Sequence, residues 1–266
     1  MRWLGVGVFV YLVLCVALYF AQEKLLFYPT DVSIEELRRR ATTPAVSIVE
    51  FACDGQTLRG LLVKPEAEGP TPLLIYFGGN AERVTNRIHP LAWQVKRGWS
   101  VAVVSYRGYD ASTGEPSADA LLADALAVYD HLSARDDVDR ARIVVRGQSL
   151  GTGIAVHVAR RRPVAGVILL ASYDRLSEGA SGHYPWLPLG LLLRHEIAPV
   201  DDAPGIRTPL LAFHGDRDRT IPIIRGRALK DAWGGDVTWV EVPGGGHSLE
   251  GSSVVETKER EYLSRR

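Results

Sequence analysis

Apolar residues along the chain begin with one long uninterrupted run. Residues 3–21 contain no charged side chain. A helix over this run would be about 28 Å long at about 1.5 Å per residue, close to the about 30 Å of a bilayer core. The pattern predicts one transmembrane helix, with the anchor over residues 1–22. A cleaved signal peptide is the alternative, but Tyr19 and Phe20 are too bulky for a small-x-small cleavage site before Ala21.

From residue 46 onward, short apolar runs rich in β-branched residues alternate with runs of helical period. The predicted strands are residues 47–52, 57–63, 72–77, 100–104, 141–146, 164–171, 208–213 and 237–242. The first two, separated by Asp54-Gly55, predict an antiparallel hairpin. Helices are predicted at residues 117–133 and 153–160. This alternation predicts an α/β fold with a mostly parallel, doubly wound sheet and helices on both faces.

The layout therefore predicts three parts: the anchor, a linker over residues 23–45, and one α/β domain over residues 46–266. The chain carries 31 Lys and Arg against 31 Asp and Glu, so its net charge is zero. That balance gives no electrostatic case for binding nucleic acid. The short basic runs at residues 38–40 and 160–162 are interpreted as solvated surface, with contact to anionic lipid as a lesser option for the first.

The chain shows no sign of a metal, a nucleotide cofactor or a disulfide framework. Of its two cysteines, Cys15 lies in the apolar run, which leaves Cys53 without a soluble partner. No H-E-x-x-H, C-x-x-C or P-loop pattern occurs. We therefore expect any chemistry to come from side chains and backbone groups alone.

A candidate nucleophile lies between the predicted strand at 141–146 and the helix at 153–160. The sequence there is Gly147-Gln148-Ser149-Leu150-Gly151, and G-x-S-x-G between a strand and a helix is the nucleophile-elbow pattern. Such a turn leaves no room for side chains at Gly147 and Gly151 and raises the Ser149 hydroxyl above the sheet edge. The alternative interpretation is an ordinary turn.

A serine nucleophile needs a general base, and that base needs an acid to orient it. After the strand at 208–213 the chain offers two carboxylates, Asp216 and Asp218, and after the strand at 237–242 a glycine-rich loop carries His247. We expect these groups to meet at the carboxyl ends of the strands, where open α/β sheets build their sites.

Two longer motifs surround these residues. His214, Gly215, Asp218, Ile221 and Pro222 match an H-G-x-x-D-x-x-I/V-P pattern, and Gly244, Gly246 and His247 match G-x-G-H. With the nucleophile elbow they make the chain resemble the α/β-hydrolase superfamily, in particular its membrane-anchored members with a G-N-A oxyanion loop. The resemblance extends from about residue 22 to the carboxyl end. It implies a triad of Ser149, Asp218 and His247, leaving Asp216 a solvated turn residue and His214 a structural one.

Acyl transfer also needs two N–H donors for the oxyanion. One is the backbone N–H of Leu150, and the other comes from the loop after the strand at 72–77. We assign the second donor to the backbone N–H of Asn80, with that of Gly79 as the alternative. If the loop has no catalytic role, its Gly-Gly-Asn sequence is an ordinary loop turn. The related enzymes often carry histidine where this chain has Gly78, so we expect the loop to lack one side-chain anchor.

The segment Tyr106-Arg107-Gly108-Tyr109 also resembles the family, which often continues with glycine where this chain has Asp110. Arg107 is interpreted as a structural ion-pair residue and Tyr109 as packing or a pocket wall. Residues 172–206, where hydrolases of this fold commonly insert a cap, include the apolar runs 184–189 and 191–193. They predict either a cap that lines an acyl pocket or touches the membrane, or a helix and loop packed on the domain.

The resemblance implies a membrane-anchored serine hydrolase that cleaves carboxylic esters or thioesters, without a cofactor. A serine peptidase and a non-catalytic binding protein of the same fold are the alternatives. The expected partners are an acyl ester substrate and the membrane, through residues 3–21. The charges around the apolar run, Arg2 before it and Lys24 after it, specify orientation weakly. The predicted location is the bacterial cytoplasmic membrane, with the catalytic domain outside.

Overall fold

The computed structural model describes residues 2–181, 186–188 and 192–266. Its centre is one sheet of eight strands in the order β1-β2-β4-β3-β5-β6-β7-β8. The first strand pairs antiparallel with the second, the second antiparallel with the fourth, and all remaining neighbours are parallel. The strands are β1 (Val46–Cys53), β2 (Gln56–Val63), β3 (Thr71–Phe77), β4 (Ser100–Val104), β5 (Val138–Gln148), β6 (Gly166–Leu170), β7 (Leu210–Gly215) and β8 (Val237–Val242).

Helices cover both faces of this sheet. They are α1 (Arg2–Leu26), α2 (Ile34–Arg40), α3 (Ala92–Val95), α4 (Ala118–Ser133), α5 (Leu150–Arg161), α6 (Leu176–Ser181), α7 (Pro199–Asp202), α8 (Ile223–Ala232) and α9 (Ser253–Leu263), with 3-10 turns at Val84–Asn86 and Ala203–Gly205. Every residue of β3, β4, β6 and β7 is buried. Strands buried on both faces lie between two hydrophobic cores, one on each side of the sheet.

The predicted fold class is confirmed. Each predicted strand and helix has its counterpart, and Asp54-Gly55 forms the turn of the opening hairpin. Ser117 caps α4, because its side chain accepts a hydrogen bond from the N–H of Ala120. The parallel strands β3, β5, β6, β7 and β8 all point their carboxyl ends to the same sheet edge, which is where the candidate chemical groups follow.

The amino-terminal helix α1 is apolar and almost unburied. Trp3–Leu26 is long enough to cross a membrane by length and composition, and an 18-residue stretch within it has a mean hydropathy of 2.5. The helix continues to Leu26, which lies within the predicted linker at residues 23–45. Within residues 23–45 the chain also forms α2, which Ser33 caps through a hydrogen bond from the N–H of Glu36.

The segment from 172 to 206 crosses the carboxyl edge of the sheet between β6 and β7. It begins with α6 and ends with α7 and the 3-10 turn at Ala203–Gly205. Parts of the two apolar runs predicted to form a cap or a packed helix, residues 184–185 and 189–191, lie outside the described residues, as do 182 and 183. The described residues between α6 and α7 contact α1.

Candidate active site

Ser149 lies in a strained turn between β5 and α5. Its backbone has φ 50° and ψ −120°, a conformation that costs a non-glycine residue on the order of 1–3 kcal/mol. A Cβ at Gly147 would overlap the carbonyl of Gly151, and a Cβ at Gly151 would overlap the carbonyl of Phe77. The two glycines of the motif are therefore required by the close approach of α5 to β3 and β5.

His247 bridges the serine and an aspartate. Its Nε2 lies 2.9 Å from Ser149 Oγ, and its Nδ1 lies 2.9 Å from Asp218 Oδ2. Ser149 lies 98 positions and Asp218 lies 29 positions before His247 in the sequence. The three residues follow β5, β7 and β8. The structure thus brings together the serine, the aspartate and the histidine that the resemblance selects.

The Asp218 carboxylate accepts hydrogen bonds from two backbone N–H groups in addition to its contact with His247. Its Oδ1 accepts hydrogen bonds from the N–H groups of Thr220 and Ile221, at 2.8 and 2.9 Å. Burial alone would raise the pKa of Asp218, but hydrogen bonds from His214, His247 and the Ile221 N–H overcome that effect and hold the pKa well below its usual range. The carboxyl is therefore ionised at neutral pH and faces His247 as an anion.

The two neighbouring candidates have different positions. Asp216 is exposed and its Oδ1 accepts a hydrogen bond from the N–H of Gly244 at 2.7 Å, which ties the loop after β7 to the loop that carries His247. His214 is fully buried, with Nε2 2.9 Å from the carbonyl oxygen of Ile221 and 3.4 Å from Asp218 Oδ2. Neither residue contacts Ser149, and both hold the loop that presents Asp218.

Two backbone N–H groups near Ser149 are free for an oxyanion. Leu150 is the first residue of α5, and neither its N–H nor that of Asn80 donates to any acceptor in the described chain. Gly79 is different, because its N–H already donates to the carboxylate of Glu82. A Cβ at Gly79 would lie 3.5 Å from the Ser149 Cβ, so this loop packs directly against the nucleophile. The geometry favours Asn80 over Gly79 as the second donor.

Glu82 anchors the loop after β3 that carries Gly79 and Asn80. The sequence predicts that this loop lacks a side-chain anchor at Gly78. Its carboxylate accepts hydrogen bonds from the Gly79 N–H and from the Tyr76 hydroxyl, and it forms an ion pair with Arg87. A Cβ at Gly78 would lie 2.8 Å from Glu82 Oε2, so the carboxylate occupies space next to the missing side chain. Sequence reasoning missed this role, since a glutamate in a loop is ordinarily a solvated residue.

We expect Glu82→Gln to lower kcat for ester hydrolysis with a smaller change in KM. The amide cannot neutralise Arg87, and in either orientation its NH2 group faces a donor, Arg87 or the Gly79 N–H, so the loop carrying Asn80 would shift. A misplacement of about 1 Å in a catalytic site can reduce rate about 10²-fold. Kinetics beside thermal unfolding measure the effect, with the exposed Glu66→Gln as the matched control. Unchanged kcat in Glu82→Gln would contradict the anchoring role.

The side chain of Asn80 joins this loop to the end of the amino-terminal helix. Its Nδ2 donates to the carbonyl of Leu26 at 2.6 Å, and its Oδ1 accepts from the N–H of Tyr28 and the hydroxyl of Tyr109, at 2.9 and 2.7 Å. Tyr109 is 1% exposed, so it packs as predicted and also fixes Asn80. The residue favoured as the second oxyanion donor is thus connected directly to the helix α1.

The remaining residues of the Tyr106–Asp110 stretch are structural. Arg107 forms a two-bonded ion pair with the buried Asp124, with N–O distances of 2.9 and 2.6 Å, as predicted for a structural arginine. Asp110 adopts φ 48°, the left-handed region that explains why glycine suits this position. Its carboxylate accepts from Thr30 Oγ1, Ser105 Oγ and the Val84 N–H, so it ties the chain after α1 to the loop after β3.

The fold and the position of these groups define the class of the protein. A mostly parallel eight-stranded sheet with a strained serine turn between β5 and α5 is the α/β-hydrolase fold. Among solved structures, the acetyl xylan esterase of Paenibacillus superposes with a TM-score of 0.68 over 92% of this chain and 98% of that one, at 15% identity. Est1E of Butyrivibrio proteoclasticus gives 0.64 over 82% and 98%, at 19% identity. At this identity the likeness concerns the fold alone.

Curated relatives place the chain within a family of this class. An uncharacterized protein of Mycobacterium tuberculosis is 32% identical over 227 residues, 85% of this chain and 80% of the relative. The α/β-hydrolase domain-containing protein WAV2 of Arabidopsis thaliana is 29% identical over 274 residues, 92% of this chain and 88% of the relative. The chain belongs to the α/β-hydrolase domain-containing proteins.

A further relative carries a more specific name. The lysophosphatidylserine lipase ABHD12 of Xenopus tropicalis is 29% identical over 178 residues, which are 59% of this chain and 46% of the relative. The match thus spans about half of that protein. No family model matches the chain.

Proposed function

We propose that the protein is a membrane-anchored serine hydrolase that cleaves carboxylic esters or thioesters through an acyl-enzyme on Ser149. The observation that carries this proposal is the continuous hydrogen-bonded line from Ser149 Oγ through His247 to Asp218. The relative named as a lysophosphatidylserine lipase supports the same reaction type. Ester cleavage is favoured over amide cleavage because alkoxide and thiolate leave more readily than an amine.

In the first half of the proposed reaction, Ser149 Oγ attacks the acyl carbon while His247 Nε2 takes its proton. The oxyanion is held by the N–H groups of Leu150 and Asn80, each worth about 2.7–4 kcal/mol of transition-state stabilisation. Collapse breaks the bond to the leaving group, and His247 returns the proton to it. The carboxylate of Asp218 keeps the proton of His247 Nδ1 in place and stabilises the imidazolium.

In the second half, water attacks the acyl carbon of the ester on Ser149, and His247 takes a proton from that water. The tetrahedral intermediate uses the same two N–H groups. Its collapse releases the carboxylic acid, and His247 returns the proton to Ser149 Oγ. No metal is needed in this cycle, and the described residues contain no group of three or more side chains placed to hold one.

We propose that α1 anchors this domain as a single-pass transmembrane helix, with residues 1–22 as the core of the anchor, 23–45 as the connection and 46–266 as the catalytic domain. The support is the length of Trp3–Leu26 and the hydropathy of its most apolar 18-residue stretch, of which 6% is buried. We place the catalytic domain outside the cytoplasmic membrane, on the balance of Arg2 against Lys24. A lipid acyl ester fits a site at the membrane surface.

Covalent labelling tests the proposal directly. The full-length protein in detergent is expected to react with a fluorophosphonate, which adds to an activated serine, and peptide mapping is expected to place the adduct on Ser149. Thr152, whose hydroxyl already donates to the Ser149 carbonyl, serves as the hydroxyl control and should stay unmodified. Intact mass after mixing with a p-nitrophenyl ester should show a transient acyl adduct. Failure of both to modify Ser149 would contradict the acyl-enzyme.

A further inference from the structure

An apolar cavity of about 210 Å³ lies between the carboxyl half of α1 and the described residues that follow α6. The helix contributes leucines to one wall, and the segment between α6 and α7 contributes leucines and Trp186 to the other. The leucines are Leu18, Leu25, Leu26, Leu187, Leu192 and Leu193. Apolar cavities of about 150 Å³ already admit benzene while staying dry, so this one accommodates hydrocarbon.

The polar side chains around this cavity form contacts that join its two walls. Gln22 donates to the carbonyl of Leu192 at 3.3 Å and accepts from the N–H of Arg194 at 2.7 Å. The guanidinium of Arg194 lies over the ring of Tyr19, 4.9 Å from its centre. Since these groups satisfy one another, the surface left for an occupant is hydrocarbon.

Trp186 lies beside the middle of α1. The Tyr11 hydroxyl donates to the carbonyl of Trp186 at 2.8 Å, and the Gln22 side chain, further along α1, donates to the carbonyl of Leu192. Tyr11 and Gln22 are about 17 Å apart along a helix, and Tyr11 lies about 12 Å inside the apolar run that begins at Trp3. If α1 spans the membrane, this wall of the cavity lies in the bilayer beside lipid chains.

Hydrogen bonds link two lining residues of the cavity to the candidate oxyanion loop. Leu26 and Tyr28, which both line it, are the residues whose carbonyl and N–H bond the side chain of Asn80. The N–H of Asn80 is the second oxyanion donor in the proposed function. Asn80 therefore links the helix end and two lining residues of the cavity to the candidate oxyanion loop, although Asn80, Ser149, Asp218 and His247 do not line the cavity.

We propose that this cavity, the anchor–cap cavity, binds the hydrocarbon chain of a long-chain acyl ester, so that the membrane helix itself forms part of the substrate site. The inference rests on the proposed ester hydrolysis and adds to it the position of the acyl chain. A chain that enters from the bilayer stays among apolar groups while its ester carbon is presented to Ser149. This arrangement selects esters with long acyl chains over short ones.

The test fills the cavity and measures chain-length selectivity. Leu18→Trp, Leu193→Trp and the double variant are compared with Leu12→Trp, a matched change at an exposed position of the same helix. The full-length proteins are placed in bilayer discs of diether lipid, which has no ester to compete. The ratio of kcat/KM for p-nitrophenyl palmitate to that for p-nitrophenyl acetate is expected to fall about tenfold or more in the cavity variants. Leu12→Trp should leave the ratio unchanged.

A binding measurement separates this inference from the proposed chemistry. A long-chain fatty acid with a diazirine at its chain end is photolysed with the Ser149→Ala protein, which needs no turnover. Saturable labelling is expected in the peptides covering residues 18–28 and 186–194, and Leu18→Trp should reduce it. Palmitic acid in excess should compete.

The outcomes are distinct. A fallen palmitate-to-acetate ratio with reduced labelling supports the anchor–cap cavity. An unchanged ratio, or an equal fall in Leu12→Trp, overturns it while the serine hydrolase stands. If no ester is cleaved in a Ser149-dependent way, the proposed function fails, and the labelling alone decides: label confined to other parts of α1 overturns the cavity, and competed label at both walls supports it.

Discussion

Ser149→Ala is expected to reduce kcat for ester hydrolysis by about 10⁴- to 10⁶-fold with little change in KM. The hydroxyl is the only group that the proposed cycle uses to form a covalent bond, and alanine leaves the turn and the N–H groups of Leu150 and Asn80 in place. The measurement is initial-rate hydrolysis of a p-nitrophenyl ester by the full-length protein, with thermal unfolding recorded alongside.

The double variant sharpens this prediction. Because Ser149 and His247 act as one unit, Ser149→Ala with His247→Ala should be no slower than Ser149→Ala alone. A matched hydroxyl control is Thr152→Val, three positions further on, where the side chain bonds the Ser149 carbonyl and should affect stability more than chemistry. Additive losses in the double variant, or full activity in Ser149→Ala, would contradict a common mechanism for the two residues.

The parts of the site that sequence predicts well are those set by local backbone chemistry. Gly147 and Gly151 are required by contacts within one strand-turn-helix unit, so the elbow is visible in five consecutive residues. The fold follows similarly, because buried strands such as β3 and β6 are short apolar runs bounded by turns. These features need no knowledge of which loops meet in space.

The parts that sequence predicts poorly depend on long-range contacts. Asp216 and Asp218 lie in one loop, and the contact that makes Asp218 the orienting acid is with His247, 29 positions later. The Asn80 side chain bonds the carbonyl of Leu26, 54 positions earlier, so that contact depends on tertiary packing. Glu82 bonds Arg87 within its own part of the chain, but no sequence pattern marks a loop glutamate for that role. The uncharged run ends before Glu23, whereas α1 extends to Leu26, so the hydropathy of the sequence does not by itself give the end of the helix.

Asp218→Asn is expected to lower kcat about 10⁴-fold, since an amide in place of the acid leaves the histidine in the wrong tautomer. In the wild type the anionic carboxylate accepts the proton of His247 Nδ1, so Nε2 is free to take the Ser149 proton. An asparagine keeps its oxygen toward the N–H groups of Thr220 and Ile221 and turns its NH2 group toward His247. The imidazole would then accept at Nδ1 and carry its proton on Nε2, where it cannot act as the base.

The matched control is Asp216→Asn, which makes the same chemical change in the same loop. Asp216 bonds the Gly244 N–H and does not contact His247, so an amide oxygen can replace its acceptor and kcat should fall less than tenfold. Because the pKa of Asp218 is held below its usual range, its contribution to stability is present at neutral pH and is lost only as the pH falls through that lowered value. Asp218 therefore stays ionised throughout rate measurements from pH 6 to 9. Equal losses in the two aspartate variants would contradict the assignment of Asp218 as the orienting acid.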